Sequence, residues 1–263
     1  MATNTPAVFY RGNPSYGTTN VQRTVTTAAL TSNLVTLTFG SNHGLSQVGT
    51  LITVQGVGAA YDGTFPVNSF PGLNTATYVV TNANIGSASV TPNGSAIFNT
   101  GVTVGGALSN NAIVNNIGII TTSSAHGLAI GDIVRVNSGT TGTNGVFTVQ
   151  AVPSTTLFTF VTSTTTLASA ALSQGAFCKY PDVYTLPAAT SGIVTDVIIT
   201  NPTASSGFVY ATIDNINYLD AVTLPANATT TFNLKQFFAT TKKLSVAATT
   251  PQADIMISGI TIV

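Results

Sequence analysis

His43-Gly44-Leu45 returns as His126-Gly127-Leu128, 83 residues further along, and that return decides how the chain is read. The same signals follow each copy in the same order. Gly63-Thr64-Phe65-Pro66-Val67 answers Gly145-Val146-Phe147-Thr148-Val149, and Tyr78-Val79-Val80 answers Phe160-Val161-Thr162, both at an offset of 82. The first copy closes on Ala96-Ile97-Phe98 and the second on Gly175-Ala176-Phe177, so insertions fall between the matched blocks. A chain that spends over half its length on two copies of a small β-unit is building shape and surface. The duplication points to a role in an assembly and gives little sign of chemistry.

Within the first repeat, residues 25–98, short strands are expected at 34–39, 51–54, 63–67, 76–81 and 95–98. Within the second, 112–178, they are expected at 117–121, 133–136, 145–149, 157–162 and 175–177. Short alternating runs bounded by Gly, Asn and Pro make each repeat a small rolled-up antiparallel barrel. Asp62-Gly63 and Asn144-Gly145 are hairpin dipeptides, because Asn, Asp and Gly accept the positive φ of tight turns. Residues 99–106 read as a linker or connecting strand. From residue 181 seven runs follow, at 183–186, 193–200, 208–213, 218–222, 229–234, 244–248 and 255–262, the spacing of one antiparallel sandwich. Residues 193–199 are too apolar for an edge and belong in the middle of a sheet. Upstream, Ala7-Val8-Phe9-Tyr10-Arg11 closed by Gly12-Asn13-Pro14 reads as one more short strand.

Composition agrees. Only 5% of the 263 residues are charged, where an average soluble domain has roughly 25%. The acids are seven Asp and no Glu, the bases three Arg and four Lys, so good surface-helix formers are scarce while Thr and Val suit pleated strands. Zero net charge argues against a nucleic-acid partner, which needs clustered cations to displace counterions. Lys242-Lys243, the one adjacent pair, reads as a solvated turn. The amino terminus lacks the basic and apolar regions of a signal peptide, and no apolar run is long enough for a membrane helix, so neither export by that route nor a membrane partner is expected. The single cysteine, Cys178, excludes an internal disulfide. Low charge also weakens the usual protection of sheet edges against pairing with neighbours, which suits a protein packed among its own copies.

The repeat pattern of His-Gly-Leu, a Gly-Asp turn, an apolar strand, an Asn-Gly turn and then Phe-x-Val is best seen in His126-Gly127-Leu128, Gly131-Asp132, Asn144-Gly145 and Phe147-Thr148-Val149. It resembles a β-barrel module of bacteriophage virion and tail proteins, often labelled by similarity to the first catalytic-cysteine half-domain of ubiquitin-activating enzymes. The first repeat departs at Val48-Gly49-Thr50, where the Asp is absent. The carboxy-terminal stretch, with Val183-Tyr184-Thr185-Leu186-Pro187, Val197-Ile198-Ile199-Thr200-Asn201 and Ser258-Gly259-Ile260, is similar to small sandwich domains of phage structural proteins. In those, a segment like Phe9-Tyr10-Arg11-Gly12 runs directly into the Tyr-Thr-x-Pro strand. The expected fold is therefore all-β: an antiparallel sandwich, first strand within residues 1–20 and the remainder in 181–263, with the two barrels inserted and projecting from it.

Residues that carry chemistry elsewhere find a plainer reading here. His43 and His126 stand alone in their modules, without Cys or carboxylate at ligand spacing, so a turn role is expected, with imidazole bonding backbone and Gly supplying positive φ. Cys178 inherits no nucleophilic role from the half-domain label, because no adenylation motif is present and no base or helix end adjoins it. Asp214-Asn215-Ile216-Asn217-Tyr218-Leu219-Asp220 is oxygen-rich but lacks the ligand alternation and central Gly of a calcium loop, and reads as a hairpin turn. Gly101, Gly105 and Gly106 lack the following Lys and helix of a phosphate loop. Asn93-Gly94-Ser95 and Asn227-Ala228-Thr229 match glycosylation acceptors by chance in a chain without a signal peptide. No catalytic, cofactor-binding or metal-binding residue is expected. The resemblance implies a non-enzymatic virion protein, assembled in the host bacterial cytoplasm, first of all a capsid decoration or cement protein. Its expected partners are the major capsid protein and its own copies, held by β-edge and apolar contacts. A tail, neck or tail-fibre component with a receptor- or glycan-binding role is the alternative, with Tyr16, Tyr61 and Phe70 as aromatics able to stack on sugar.

Overall fold

The structure is a computed structural model that describes residues 4–13, 20–100, 104–180, 182–213, 216–250 and 253–263. Every element among them is a strand and no helix occurs. Two compact units separate: one takes residues 1–15, 131–133 and 180–263, the other 16–130 and 134–179.

The first unit is a sandwich of two four-stranded antiparallel sheets. One runs Asn4–Gly12, Asp254–Ile262, Ser191–Asn201, Ala228–Phe238; the other runs Asp182–Thr185, Lys243–Ala248, Gly207–Ile213, Ile216–Leu224. Taken in chain order as strands one to eight, the sheets read 1-8-3-6 and 2-7-4-5, the strand order of a double-sheet jelly roll. The alternation in Ser191–Asn201 explains its central place. Val194, Val197 and Ile199 turn inward to join Phe9, Val209, Val246, Ile255 and Ile257 in one core, while Ile193 and Ile198 point outward. At Gly259 the neighbouring strand comes so close that a Cβ would lie 1.9 Å from the Ile193 carbonyl oxygen, so only glycine keeps the two central strands in register. Both repeats lie in the chain between the first and second strands of this sandwich, so they are inserted into it.

The second unit holds the two repeats. The first is a seven-stranded sheet in the order Gly63–Pro66, Leu51–Gln55, Ile85–Asn99, Asn20–Thr31, Leu34–Phe39, Thr75–Val79, Ser69–Gly72. Its end strands are joined through Val67 and Asn68, whose backbone N–H groups bond Thr50 and Thr77, so the sheet rolls around Leu37, Ile52, Tyr78 and Phe98. The second repeat follows the same order: Gly145–Thr148, Ile133–Asn137, Ala176–Lys179, Gly105–Val114, Ile117–Thr122, Leu157–Val161, Ala151–Ser154. One difference separates them. The single strand Ile85–Asn99 of the first repeat is replaced by two pieces, Thr166–Ala171 and Ala176–Lys179, that both pair with Gly105–Val114.

That break moves the match at the repeat ends. Phe177 stands opposite Val136 as Ala96 stands opposite Val54, so Phe177 takes the place of Ala96 and not of Phe98. Of the two readings of 99–106, linker or connecting strand, Gly105 and Gly106 take the second, since they open a strand in the middle of the second sheet. Residues 101–103 lie outside the described residues.

Candidate interaction surfaces

The two histidines are turn braces. His43 and His126 are both buried. Nδ1 of His43 accepts the Leu45 N–H at 3.0 Å, which leaves Nε2 to carry the proton towards the carbonyls of Gly72 at 2.9 Å and Thr75 at 3.2 Å. His126 repeats this with the Leu128 N–H at 2.9 Å and the carbonyls of Ser154 and Leu157 at 3.1 and 3.3 Å. Gly44 and Gly127 take φ of +70° and +65°, which lets the next-but-one N–H reach back to the ring. Each imidazole ties the His-Gly-Leu turn to the hairpin closing its barrel, and no metal-holding cluster occurs among the described residues.

Cys178 lies fully buried in the strand paired with Arg135, and burial pushes its thiol up to about 12 against the opposing pull of Arg135. Asn217 to Asp220 lie along the strand Ile216–Leu224, not in a loop, while Asp214 and Asn215 fall outside the described residues. Lys243 pairs with Asp182 at 2.7 Å, and Asp182 also accepts from Ser245, pinning an edge strand. Of the aromatics able to stack on sugar, two are engaged within the first repeat. Tyr61 is buried and its carbonyl accepts the Tyr78 hydroxyl at 2.6 Å, and Phe70 packs on the His43 ring at 4.6 Å. Tyr16 lies outside the described residues.

What the sandwich exposes is a sheet face. Its four strands carry residues in cross-strand rows on the side away from the core. One row is Pro6, Ile260, Ile193 and Phe237; a second is Val8, Ser258, Asp196 and Asn233; a third is Arg11, Met256, Ile198 and Thr231. Phe237 is 54% exposed and Val8 62%, while Ile193, Ile198, Met256 and Ile260 are partly covered by their neighbours. Charge enters with Asp196 in the second row and at the end of the face, where Arg11 and Asp254 border a shallow hollow lined by Ile198, Ile255 and Met256. Tyr10, half-buried beneath this corner, has its hydroxyl pushed up to about 12 by burial and by nearby Asp254. The face is not legible in the sequence because its rows join residues of four strands far apart in the chain.

A second surface lies between the repeats and is already filled. Nδ2 of Asn137 donates to the Val79 carbonyl at 2.7 Å, the Gly175 N–H donates to Asn68 Oδ1 at 2.7 Å, and Gln174 donates to the Ser32 carbonyl at 3.0 Å. The Arg135 guanidinium lies over the Phe65 ring, 5.6 Å from its centroid, on a ring already stacked on Tyr78 at 4.6 Å. Gly49, at φ +83°, lies so close to Gly105 and Gly106 that a Cβ there would clash with their backbone. Residues of the first repeat that receive these contacts are Ser32, Gly49, Phe65, Asn68 and Val79; those that deliver them lie elsewhere in the second repeat's version of the fold. The contact is head to tail.

No protein-family model matches the chain, and no curated protein matches it. The likeness of the repeats to the ubiquitin-activating half-domain therefore has no family match behind it. Among solved structures the chain is similar to the phage phi92 endosialidase at 14% identity, over 68% of this chain and 30% of that one, with a TM-score of 0.24. A likeness at that score carries no argument.

Proposed function

We propose that the chain is a non-enzymatic structural protein of a bacteriophage particle, a capsid decoration protein that binds the shell and its own copies. The observation that carries this reading is the outer face of the jelly-roll sheet, where Pro6, Val8, Ile193, Phe237 and Ile260 form an apolar patch with few charges. Soluble monomers rarely leave such a patch on the wide face of a sheet, and covering it releases water at little electrostatic cost. The jelly roll is a common fold of viral capsid domains, which supports the role by analogy only. Groups with chemical potential serve the scaffold instead: the histidines brace turns and the thiol is sealed in the second barrel.

Quantitative mass spectrometry of purified particles tests this. A copy number near that of the major capsid protein, or a simple fraction of it, is the expected result. A handful to a few dozen copies would assign the chain to the tail or neck and favour receptor binding, and absence from particles would overturn the structural role.

A further inference from the structure

The sandwich has four sheet edges, and three of them carry devices that discourage pairing with another chain. Asn4–Gly12 has Pro6 and a register shift between Val8 and Tyr10. Asp182–Thr185 is only four residues long and is pinned by the ion pair of Asp182 with Lys243. Ile216–Leu224 shifts register twice against its neighbour and carries Asp220. Ala228–Phe238 is different. It runs for eleven residues without proline and with one charge, Lys235, and its first six residues pair with Asn201 to Asp196 without a shift. Among the described residues no strand lies on its other side.

The side chains of this edge are half covered. They alternate strictly: Thr229, Thr231, Asn233, Lys235 and Phe237 are exposed on the outer face, while Thr230, Phe232 and Leu234 point inward and stay only partly buried. Phe232 and Leu234 pack on the core, as do Tyr218 and Val222 of the other sheet's edge strand, which are also partly buried. The core is thus open along one flank. The run reads Ala-Thr-Thr-Thr-Phe-Asn-Leu, and it matches itself when turned antiparallel about Thr231. On the inner side Phe232 then faces Thr230 of the second strand and Leu234 faces Ala228, large against small. On the outer side Asn233 faces Thr229 and Thr231 faces its own counterpart, beside the hydroxyls of Thr200 and Thr229 that already bond at 3.1 Å. Lys235 falls opposite uncharged Asn227, so no like charges meet.

We propose that Ala228–Phe238 is the edge through which two copies of this chain pair, strand against identical strand, about a twofold axis at Thr231. The joint makes one eight-stranded sheet from two of four and covers Phe232 and Leu234 in both copies. Because the contact is isologous it closes at two copies, and it leaves the outer apolar faces of both on the same side of the joined sheet. It is small beside a standard interface of about 20–30 residues a side, so the pair is weak in solution. The inference rests on one half of the proposed role, binding among copies, and names the strand that performs it.

The test uses the full chain in analytical ultracentrifugation, over a concentration series up to about 0.5 mM. The wild type is expected to pass from monomer to dimer as concentration rises. Thr231→Asp sets two carboxylates against each other at the axis and is expected to weaken dimerisation by about tenfold or more. Thr231→Val, uncharged and β-branched, is expected to keep it. Position 231 is exposed, and circular dichroism checks that both variants are folded. The register is read separately. Thr229→Cys and Asn233→Cys, mixed under mild oxidation, are expected to give a covalent pair that neither gives alone, while buried Cys178 stays out of the reaction. A wild type that stays monomeric, a Thr231→Asp dimer as tight as that of the wild type, or a mixture that crosslinks no more than its separate variants would each overturn the contact. None of these results touches binding to the shell, which the copy number in particles decides.

Discussion

At the scale of single residues, two histidines show how a side chain known for chemistry serves a turn. Nδ1 accepts an N–H two residues on while Nε2 donates to a carbonyl across the barrel, so removing the ring strands buried backbone groups on both sides. His43→Ala and His126→Ala are each expected to cost about 2–3 kcal/mol, read from urea unfolding, and added zinc is expected to change neither value. The thiol of Cys178 gives a pH-dependent prediction. Burial holds it protonated in the folded chain up to about 12, against an ordinary 9.0, and burial raises the Tyr78 hydroxyl in the same direction. Unfolding releases both to ionise at their usual values, so at alkaline pH the unfolded chain binds fewer protons than the folded one. Stability is therefore expected to be intact below about pH 9 and to fall as the pH rises from there towards about 12, with Cys178 alkylated only after unfolding. A thiol that labels quickly at pH 8 in the native protein would contradict this environment.

At the scale of elements, strands were legible where apolar alternation is strong and hidden where it is not. All seven runs after residue 181 correspond to strands, and 193–199 lies in the middle of its sheet. Asn20–Thr31 and Gly105–Val114, each the spine of a repeat, escaped notice because Thr, Ser, Asn and Ala occupy positions where a pattern reader looks for Val and Ile. Asn111, for instance, is buried in such a strand and donates to Thr143 at 2.8 Å. The joint between repeats was equally invisible, because it is made of amides and glycines far apart in sequence. Glycine is also where these elements are most easily broken. Gly259→Ala forces a methyl against the Ile193 carbonyl and is expected to lower the melting temperature well below wild type, whereas Gly86→Ala, where a Cβ meets nothing within 4 Å, is expected to leave it unchanged. Equal melting temperatures for the two variants would show that the central strands of the sandwich have room to part.

At the scale of the whole molecule, uncharged surfaces make the assembly forecast simple. The sheet face offers apolar groups with little charge, so under the proposed role particle binding and self-association through it are expected to change less than twofold between about 0.05 and 1 M salt. Light scattering across that range checks it, and a steep loss with salt would point to charge-driven contacts instead. The sandwich draws on its own core, built from residues 4–12 and 182–262. A chain in which a flexible linker replaces residues 20–179 is accordingly expected to melt cooperatively and to keep the apolar face.

The pairing of Asn4–Gly12 with Asp254–Ile262 also sets a timetable for synthesis. The first strand is made before both repeats, yet the strand it pairs with among the described residues is made after them and after the rest of the sandwich. Both barrels are able to close while translation continues, but the row from Pro6 to Phe237 exists only once Ile260 has been added. Under the proposed role, a chain that stops before that residue has no complete outer row with which to bind a shell or another copy.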